Sequence, residues 1–412
     1  MVEALWRTRV VEGVKVSDAQ RDLVDMWRPA GAVPPALVDP ALPDPVRSLR
    51  ARRAVRVEEV DPTGRVLWAS RSDGTGPALS GSTRAASSTF LRWVDGVLVL
   101  ESALSDNQVE VRCPVLACAL VTATTLAPAT PPEPVLRRLL DECARAGLLA
   151  GGPQRTGGLT FHERLFHQHS RLTRGKQLGL DVGATHRGAD AGGGPAPLRV
   201  RRAPHYVPLP EPAHLATPLT DALAARRSAR TFATDPLPTS ALATVLGTCL
   251  RYSSTGVNSR GYQTAHRAVP SASGLHELEA YVVCEATELA RGLYHYDPAT
   301  HALGLMSPPV EPLHARLLEV AARLSSATPH VPALLLLTAR TDRMTWKYTA
   351  TSYALSLKHV GAVLQAVQVT AVATGLGACP LGNLPVDDVA AYAGLDPEHE
   401  TPVGEMVLGV RA

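Results

Sequence analysis

The sequence lacks most of the signatures by which enzymes declare themselves. It has no GxxxxGK[ST] loop, no HExxH pair and no GxSxG turn, so nothing points to a P-loop NTPase, a zinc peptidase or an α/β-hydrolase. Its dense glycine run beside chemistry, GLGACPLG from Gly375 to Gly382, does not have the dinucleotide spacing, and a Rossmann-bound hydride carrier is not expected. The six cysteines (Cys113, Cys118, Cys143, Cys249, Cys284, Cys379) form no CxxC pair, and the first residues lack a basic segment followed by an apolar one. A reduced, cytoplasmic protein without a signal peptide is expected. Charge of one sign is not in excess: 41 Lys and Arg against 38 Asp and Glu leave a net +3, too near neutral for nucleic acid as the main partner. One long uncharged stretch, Val360 to Val386, has the length to span a bilayer, but Gln365, Gln368, Thr370, Thr374 and the Gly375-Leu-Gly377 break favour a buried helix, with no membrane partner.

What is present suits a globular chain. Its 412 residues are 45% hydrophobic and 19% charged, enough for two or three domains with ample cores. The stretch from Gly183 to Pro197 (GATHRGADAGGGPAP) has almost no large apolar residue and reads as a flexible linker. Upstream, Val66 to Ser70 and Thr89 to Ser102 read as strands, the second turning at Asp95-Gly96. After Pro134, Leu136, Leu139, Leu140 and Cys143 share one helical face, and Gly147 stands where a left-handed cap belongs. This proportion of elements suits a winged-helix-like module or an unspecialised α+β domain equally well. His162, His167 and His169 in FHERLFHQHSRL have no acid or thiol at matching spacing, so a connecting helix is expected there and no metal.

Downstream, Thr220 or Asp221 is placed to cap a helix through Ala229, and Thr239 one from Ser240 to Arg251. Leu278 to Glu285 reads as a strand and GLYHYDPATHALGL as a hairpin turning at Asp297-Pro298. Val331 to Thr338 (VPALLLLT) reads as a strand covered on both faces. The stretch from Tyr353 to Thr374, apolar nearly all round and rich in small residues, reads as the central buried helix, packed against a second subunit.

Three segments carry chemistry. Arg226-Arg-Ser-Ala-Arg-Thr-Phe232 offers guanidiniums and a hydroxyl able to grip a phosphate, or else is a solvated helix end. Val269-Pro-Ser-Ala-Ser-Gly-Leu-His276 offers hydroxyls and backbone to a polar heterocycle, or is only a loop. Gly375 to Asn383 (GLGACPLGN) lets backbone approach a flat ligand, or is a helix cap and turn. In this order they resemble the flavin-binding segments of the nitroreductase superfamily, over about residues 215 to 410. The resemblance implies an α+β, nitroreductase-like FMN-binding fold and a homodimer with its active site at the subunit interface. It also implies FMN phosphate, ribityl or ring-edge contacts by Arg226, Ser228 and Arg230. Pro270, Ser271 and Ser273 would flank the ring from the other subunit, and Gly377, Pro380 and Gly382 would form the turn near N5, with Arg411 as a further phosphate contact.

Within that superfamily, GLYHYDPATHAL, PSASGLHELEAYVV and Trp346-Lys347-Tyr348 are similar to the SagB/ThcOx-type azoline dehydrogenases, and YALSLKHVGAVLQ to those of thiopeptide biosynthesis. The likeness implies Lys347 and Tyr348 as the catalytic pair, with oxidation of thiazolines or oxazolines to azoles in an azoline-containing precursor peptide, alongside cyclodehydratase subunits. The chain departs from the commoner Glu-x-Gly-His pattern, having His359 and Ala362, so no role for an acid or histidine is carried over at that place. The implied layout is a winged-helix-like peptide- or partner-binding module over residues 1–155, a connector over 156–205 and an FMN domain over 206–412. Two rivals stand beside this reading: a flavin-dependent nitro or quinone reductase, and a non-catalytic scaffold subunit of a modifying complex.

Overall fold

The structure is a computed structural model that describes residues 5–10, 55–61, 63–72, 79, 83–126, 133–150, 158–171, 195–259, 261–348 and 351–412. The chain divides into two compact units, Met1–Gly183 and Ala184–Ala412.

In the first unit, strands β1 (Leu5–Val10), β2 (Val55–Val60), β3 (Val66–Arg71), β4 (Thr89–Val94), β5 (Val97–Ser102) and β6 (Ser105–Val111) form one antiparallel sheet in the order β1-β2-β3-β6-β5-β4. Helices α1 (Pro114–Leu126), α2 (Pro134–Arg145) and α3 (Phe161–Ser170) follow. The expected turn is there, with Asp95 and Gly96 both at positive φ. So is the expected face of α2, on which Leu139, Leu140 and Cys143 are buried against Trp68, Leu100 and Val109. Gly147, at φ 71°, closes that helix. The connecting helix begins at a capping box in which Thr160 and Glu163 serve each other's backbone N–H groups.

The second unit is built on an antiparallel sheet of seven strands: β7 (Val207–Pro208), β10 (Leu278–Cys284), β11 (Gly292–Asp297), β12 (Ala302–Ser307), β13 (Ala333–Arg340), β14 (Leu376–Pro380) and β15 (Glu400–Val410). Their order is β14-β15-β13-β10-β11-β12-β7. A separate hairpin pairs β8 (Ser254–Val257) with β9 (Gln263–His266). The helices are α4 (Leu219–Ala225), α5 (Thr239–Leu250), α6 (Leu313–Ser325), α7 (Thr341–Thr345), α8 (Ser352–Ala373) and α9 (Val386–Ala393). Alternate residues of the central strands face two separate cores. Leu335, Leu337, Val282 and Met406 meet α5 and α8 on one side. Leu334, Leu336, Val283 and Val407 meet α6 and α9 on the other. A strand covered on both faces needs apolar residues at every position, which is why LLLL in β13 reads without alternation and is buried throughout.

Two sequence expectations change here. The helix α8 is long and apolar enough to cross a membrane by length and composition, yet one face enters the core through Val360, Val363, Val367 and Ala371. It is not buried all round, because Tyr353, Leu357, Gly361 and Gln365, four residues apart in turn, line an exposed stripe. The expected linker lies outside the described residues from 183 to 194, but its end is held. Ala196 O and Pro197 O accept hydrogen bonds from Arg343 and Arg340, which are almost wholly buried. Nearby, Arg199 pairs with Asp297 and Arg202 with Glu400.

Arg343 also donates to Leu275 O and Gln263 O, so one guanidinium ties three stretches of backbone together. Burial pulls its pKa down to about 10, so it stays charged at neutral pH. Arg343→Met removes the donors and leaves three carbonyls without partners; a loss of roughly 3–5 kcal/mol is expected. Thermal unfolding should fall by about 6–12 °C, with Arg343→Lys recovering only part, since an ammonium lacks the fork. An unchanged midpoint would show that the tie is not needed for folding.

Candidate active site

The structure gathers the expected residues into two groups. The first surrounds edge strand β14. The helix α4 ends at Ala225 and not at Ala229, and it starts after Pro218, so Thr220 and Asp221 fall inside its first turn and cap nothing. Arg226, the C-cap, turns to ψ 123°. From there the chain runs extended, because Phe232 must reach the core beneath the sheet. Ser228 bridges Ala378, Ala229 N–H donates to Ala378 O, and Phe232 bridges Arg411. Similarly, α5 starts at Thr239 itself, after Pro238, with no side-chain cap.

This course brings Arg226, Ser228, Arg230 and Arg411 around the β14 edge. Among the described residues no carboxylate pairs with Arg226, Arg230 or Arg411. At Gly377 a Cβ would lie 2.7 Å from Ala229 Cβ and 3.1 Å from Phe232 Cε1. What the structure requires of Gly377 is thus the close passage of the extended segment, whereas Gly382, next to half-buried Pro380, faces open space.

The second group is the loop between β9 and β10. Ser273, Gly274 and His276 all have positive φ, at 55°, 65° and 45°. Two buried side chains hold this conformation. Glu277, fully buried, accepts from His359 Nδ1 at 2.7 Å and from Ser271 Oγ at 3.1 Å. His359 Nε2 accepts Ala272 N–H at 3.0 Å, which places the ring proton on Nδ1. Ser271 Oγ in turn accepts His276 N–H. Burial pushes the Glu277 carboxyl up, but hydrogen bonds from His359 and Ser356 outweigh it and hold the group below the usual carboxylate range.

So held, the loop presents Ser273 to the expected pair. Lys347 Nζ lies 2.5 Å and Tyr348 Oη 2.8 Å from Ser273 Oγ. Lys347 Nζ also reaches Tyr262 Oη at 3.5 Å, and Tyr262 packs edge-on against Trp346. Both Lys347 and Tyr348 bond through their N–H groups to Met344 O, so the end of α7 sets their direction. They are half-buried, and Ser273 is exposed, leaving the cluster open to an incoming ligand. No hydrogen bond or ion pair joins the two groups among the described residues. Glu277 and His359 were missed by sequence reasoning, although a histidine on the inner face of an otherwise apolar helix was a signal. Among the described residues no set of His, Cys, Asp and Glu is arranged to hold a metal ion.

Two buried titratable groups give the protein opposing responses to acid. Burial, helped by the Arg267 charge, lowers His276 to about 4. The unfolded chain therefore takes up that proton first, and stability present above about pH 6.5 is lost toward pH 4, at about 1.4 kcal/mol per unit. Glu405, on β15 with no partner for its carboxylate among the described residues, is pushed by burial up to about 7. Its folded form binds the proton first, so stability falls as pH rises from about 4.5 through 7. In urea titrations at pH 5 and 7, His276→Gln should make the protein relatively more stable to acid and Glu405→Gln relatively less. The same sign from both substitutions would contradict these assignments.

The chain is similar to several known proteins. Residues 223–410 match the nitroreductase family. A curated protein named as a putative nitroreductase of Methanocaldococcus jannaschii is 30% identical over 166 residues, covering 40% of this chain and 78% of its own length. Among solved structures, a protein titled a putative nitroreductase from Ralstonia eutropha is 27% identical, with 53% of this chain and 94% of that one covered at a TM-score of 0.39. The Escherichia coli microcin synthetase McbBCD complex with truncated pro-MccB17 bound is 21% identical, with 44% and 67% covered at a TM-score of 0.37. The chain belongs to the nitroreductase family, whose α+β fold its second unit adopts and whose members are flavin-dependent oxidoreductases with FMN as cofactor.

Proposed function

We propose that this protein is an FMN-dependent azoline dehydrogenase that converts thiazoline or oxazoline rings in a ribosomally made peptide to thiazoles or oxazoles. The observation that carries the reading is the meeting of Lys347, Tyr348 and Ser273 at one exposed point, since a simple flavin reductase has no need of a lysine–tyrosine pair. An azoline has an acidic C–H between a carbonyl and a C=N, and aromatisation removes this proton together with a hydride from the neighbouring carbon. FMN supplies the hydride acceptor when bound. Tyr348 takes the proton at Oη, with Lys347 beside it.

The residues around β14 fit the cofactor, because Arg226, Arg230 and Arg411 with the Ser228 hydroxyl match a phosphate and have no competing carboxylate among the described residues. Gly377, Pro380 and Gly382 are assigned to the turn that meets the ring near N5. The loop of Pro270, Ser271 and Ser273, in the second group, flanks the ring of the other subunit in a homodimer. The exposed stripe of α8, with the large apolar Tyr353 and Leu357 at its N-terminal end, supports that pairing. Residues 1–155 are assigned to peptide or partner binding as a winged-helix-like module, with cyclodehydratase subunits as its companions.

Two outcomes follow. Arg226→Ala should lower FMN occupancy severalfold, as measured by the visible spectrum of the purified protein, because a bidentate contact to phosphate is lost. Lys347→Ala and Tyr348→Phe should keep FMN while azole formation, followed by mass spectrometry as a loss of about 2 Da per ring, falls about 100-fold. Unchanged azole formation in both variants would remove the pair from the chemistry. Nitro or quinone reduction with nicotinamide, and no azole product, would establish the reductase reading instead, and a protein that takes up no FMN would be a scaffold subunit.

A further inference from the structure

The pair Lys347 and Tyr348 is adjacent in sequence, but no hydrogen bond joins the ammonium to the phenol. Lys347 Nζ sits 5.5 Å from the centre of the Tyr348 ring. What touches both functional atoms is Ser273 Oγ, from a loop more than seventy residues earlier. We infer that Ser273 is a positioning residue of the catalytic site, which holds Tyr348 and transmits the charge of Lys347 to it. This rests on the azoline dehydrogenase reading.

The donor inventory allows one chain of bonds. An ammonium can only donate, so Ser273 Oγ accepts from Lys347, and the serine proton is then free to point at Tyr348 Oη. A hydroxyl that accepts from a cation is polarised and donates more strongly. The phenolate is thereby stabilised by a neutral hydroxyl whose strength is set by a charge one bond further away. The arrangement also fixes the geometry, because one oxygen is shared by two side chains and cannot serve either unless both are in place.

The backbone singles out this position. Ser273 has φ 55° and ψ 24°, in the left-handed region, and its neighbours Gly274 and His276 are at positive φ as well. Left-handed serine is disfavoured against glycine, so a residue chosen for the turn alone would be glycine. The hydroxyl is retained at a conformational cost. The loop is kept in this shape from beneath by His359 on Ala272 N–H, by Glu277 on Ser271, and by Arg343 on Leu275 O. These contacts hold the loop through its backbone and Ser271, leaving the Ser273 side chain to the pair.

The left-handed conformation makes a clean test available. Ser273→Gly removes the hydroxyl while giving the turn the residue it prefers, so the thermal midpoint of the FMN-loaded protein should hold or rise, and FMN occupancy should be unchanged. With an azoline-bearing peptide, kcat should fall about 10- to 100-fold, the scale of a misplaced catalytic group, with KM for the peptide nearly constant. In the Lys347→Ala background the same substitution should cause little further loss, because the serine acts through the lysine. Wild-type kcat in Ser273→Gly, or losses that multiply in the double variant, would overturn the inference while the dehydrogenase reading stands. A fall in midpoint together with loss of FMN would also overturn it, assigning Ser273 to the fold or to cofactor binding. If the wild-type protein carries FMN and forms no azole, the dehydrogenase reading fails and the inference fails with it.

Discussion

Glu277 is withdrawn from solvent and divides its two carboxylate oxygens between His359 and Ser271, so the loop before β10 has one shape available to it. That division fixes the rest of the second group. His359, turned by the carboxylate into an acceptor at Nε2, takes Ala272 N–H, and Ser271 takes His276 N–H. Three positive φ values in four residues persist because the surrounding bonds over-determine them. Removing the carboxylate would leave the His359 and Ser271 side chains without their shared acceptor.

The scaffold around the loop explains why such a loop is affordable. Leu278, which follows Glu277 directly, opens β10, a strand in which every residue is buried between two helical layers. On the other side, Arg343 in α7 holds Leu275 O and Gln263 O, and α7 is the helix whose end directs Lys347 and Tyr348. The same short helix therefore steadies the loop and presents the pair that the loop meets. Reactive groups on irregular backbone are in this way referred to rigid elements at both ends.

Much of the frame was legible because it depends on local chemistry. The apolar run of β13, the Asp95-Gly96 turn, the hairpin after Asp297 and the length of α8 each follow from propensity and periodicity in a short window. The extended course of Arg226 to Phe232 was not legible, because it is imposed by Phe232 entering a core formed by distant strands, which overrides helical preference near Ala225. The contact of Ser273 with Lys347 spans 74 residues, and that of Glu277 with His359 spans 82. Neither leaves a mark in spacing. Arg343 was hidden for a further reason: its partners are backbone carbonyls, which every residue has, so no complementary residue type signals the bond. The family resemblance supplied Lys347 and Tyr348 as a pair and Ser273 only as part of the loop beside the ring; it did not place the serine between them.

The anchoring of Ala196 and Pro197 has a consequence for how the second unit is isolated. A cut placed after residue 205, where strand structure begins, discards Arg199 and Arg202, the arginine partners of Asp297 and Glu400, and removes from Arg343 the Ala196 carbonyl and from Arg340 the Pro197 and Leu198 carbonyls. A cut in the 183–194 stretch leaves every one of these bonds in place. The bonded second unit thus extends about ten residues upstream of its first strand, through a short arm without regular secondary structure.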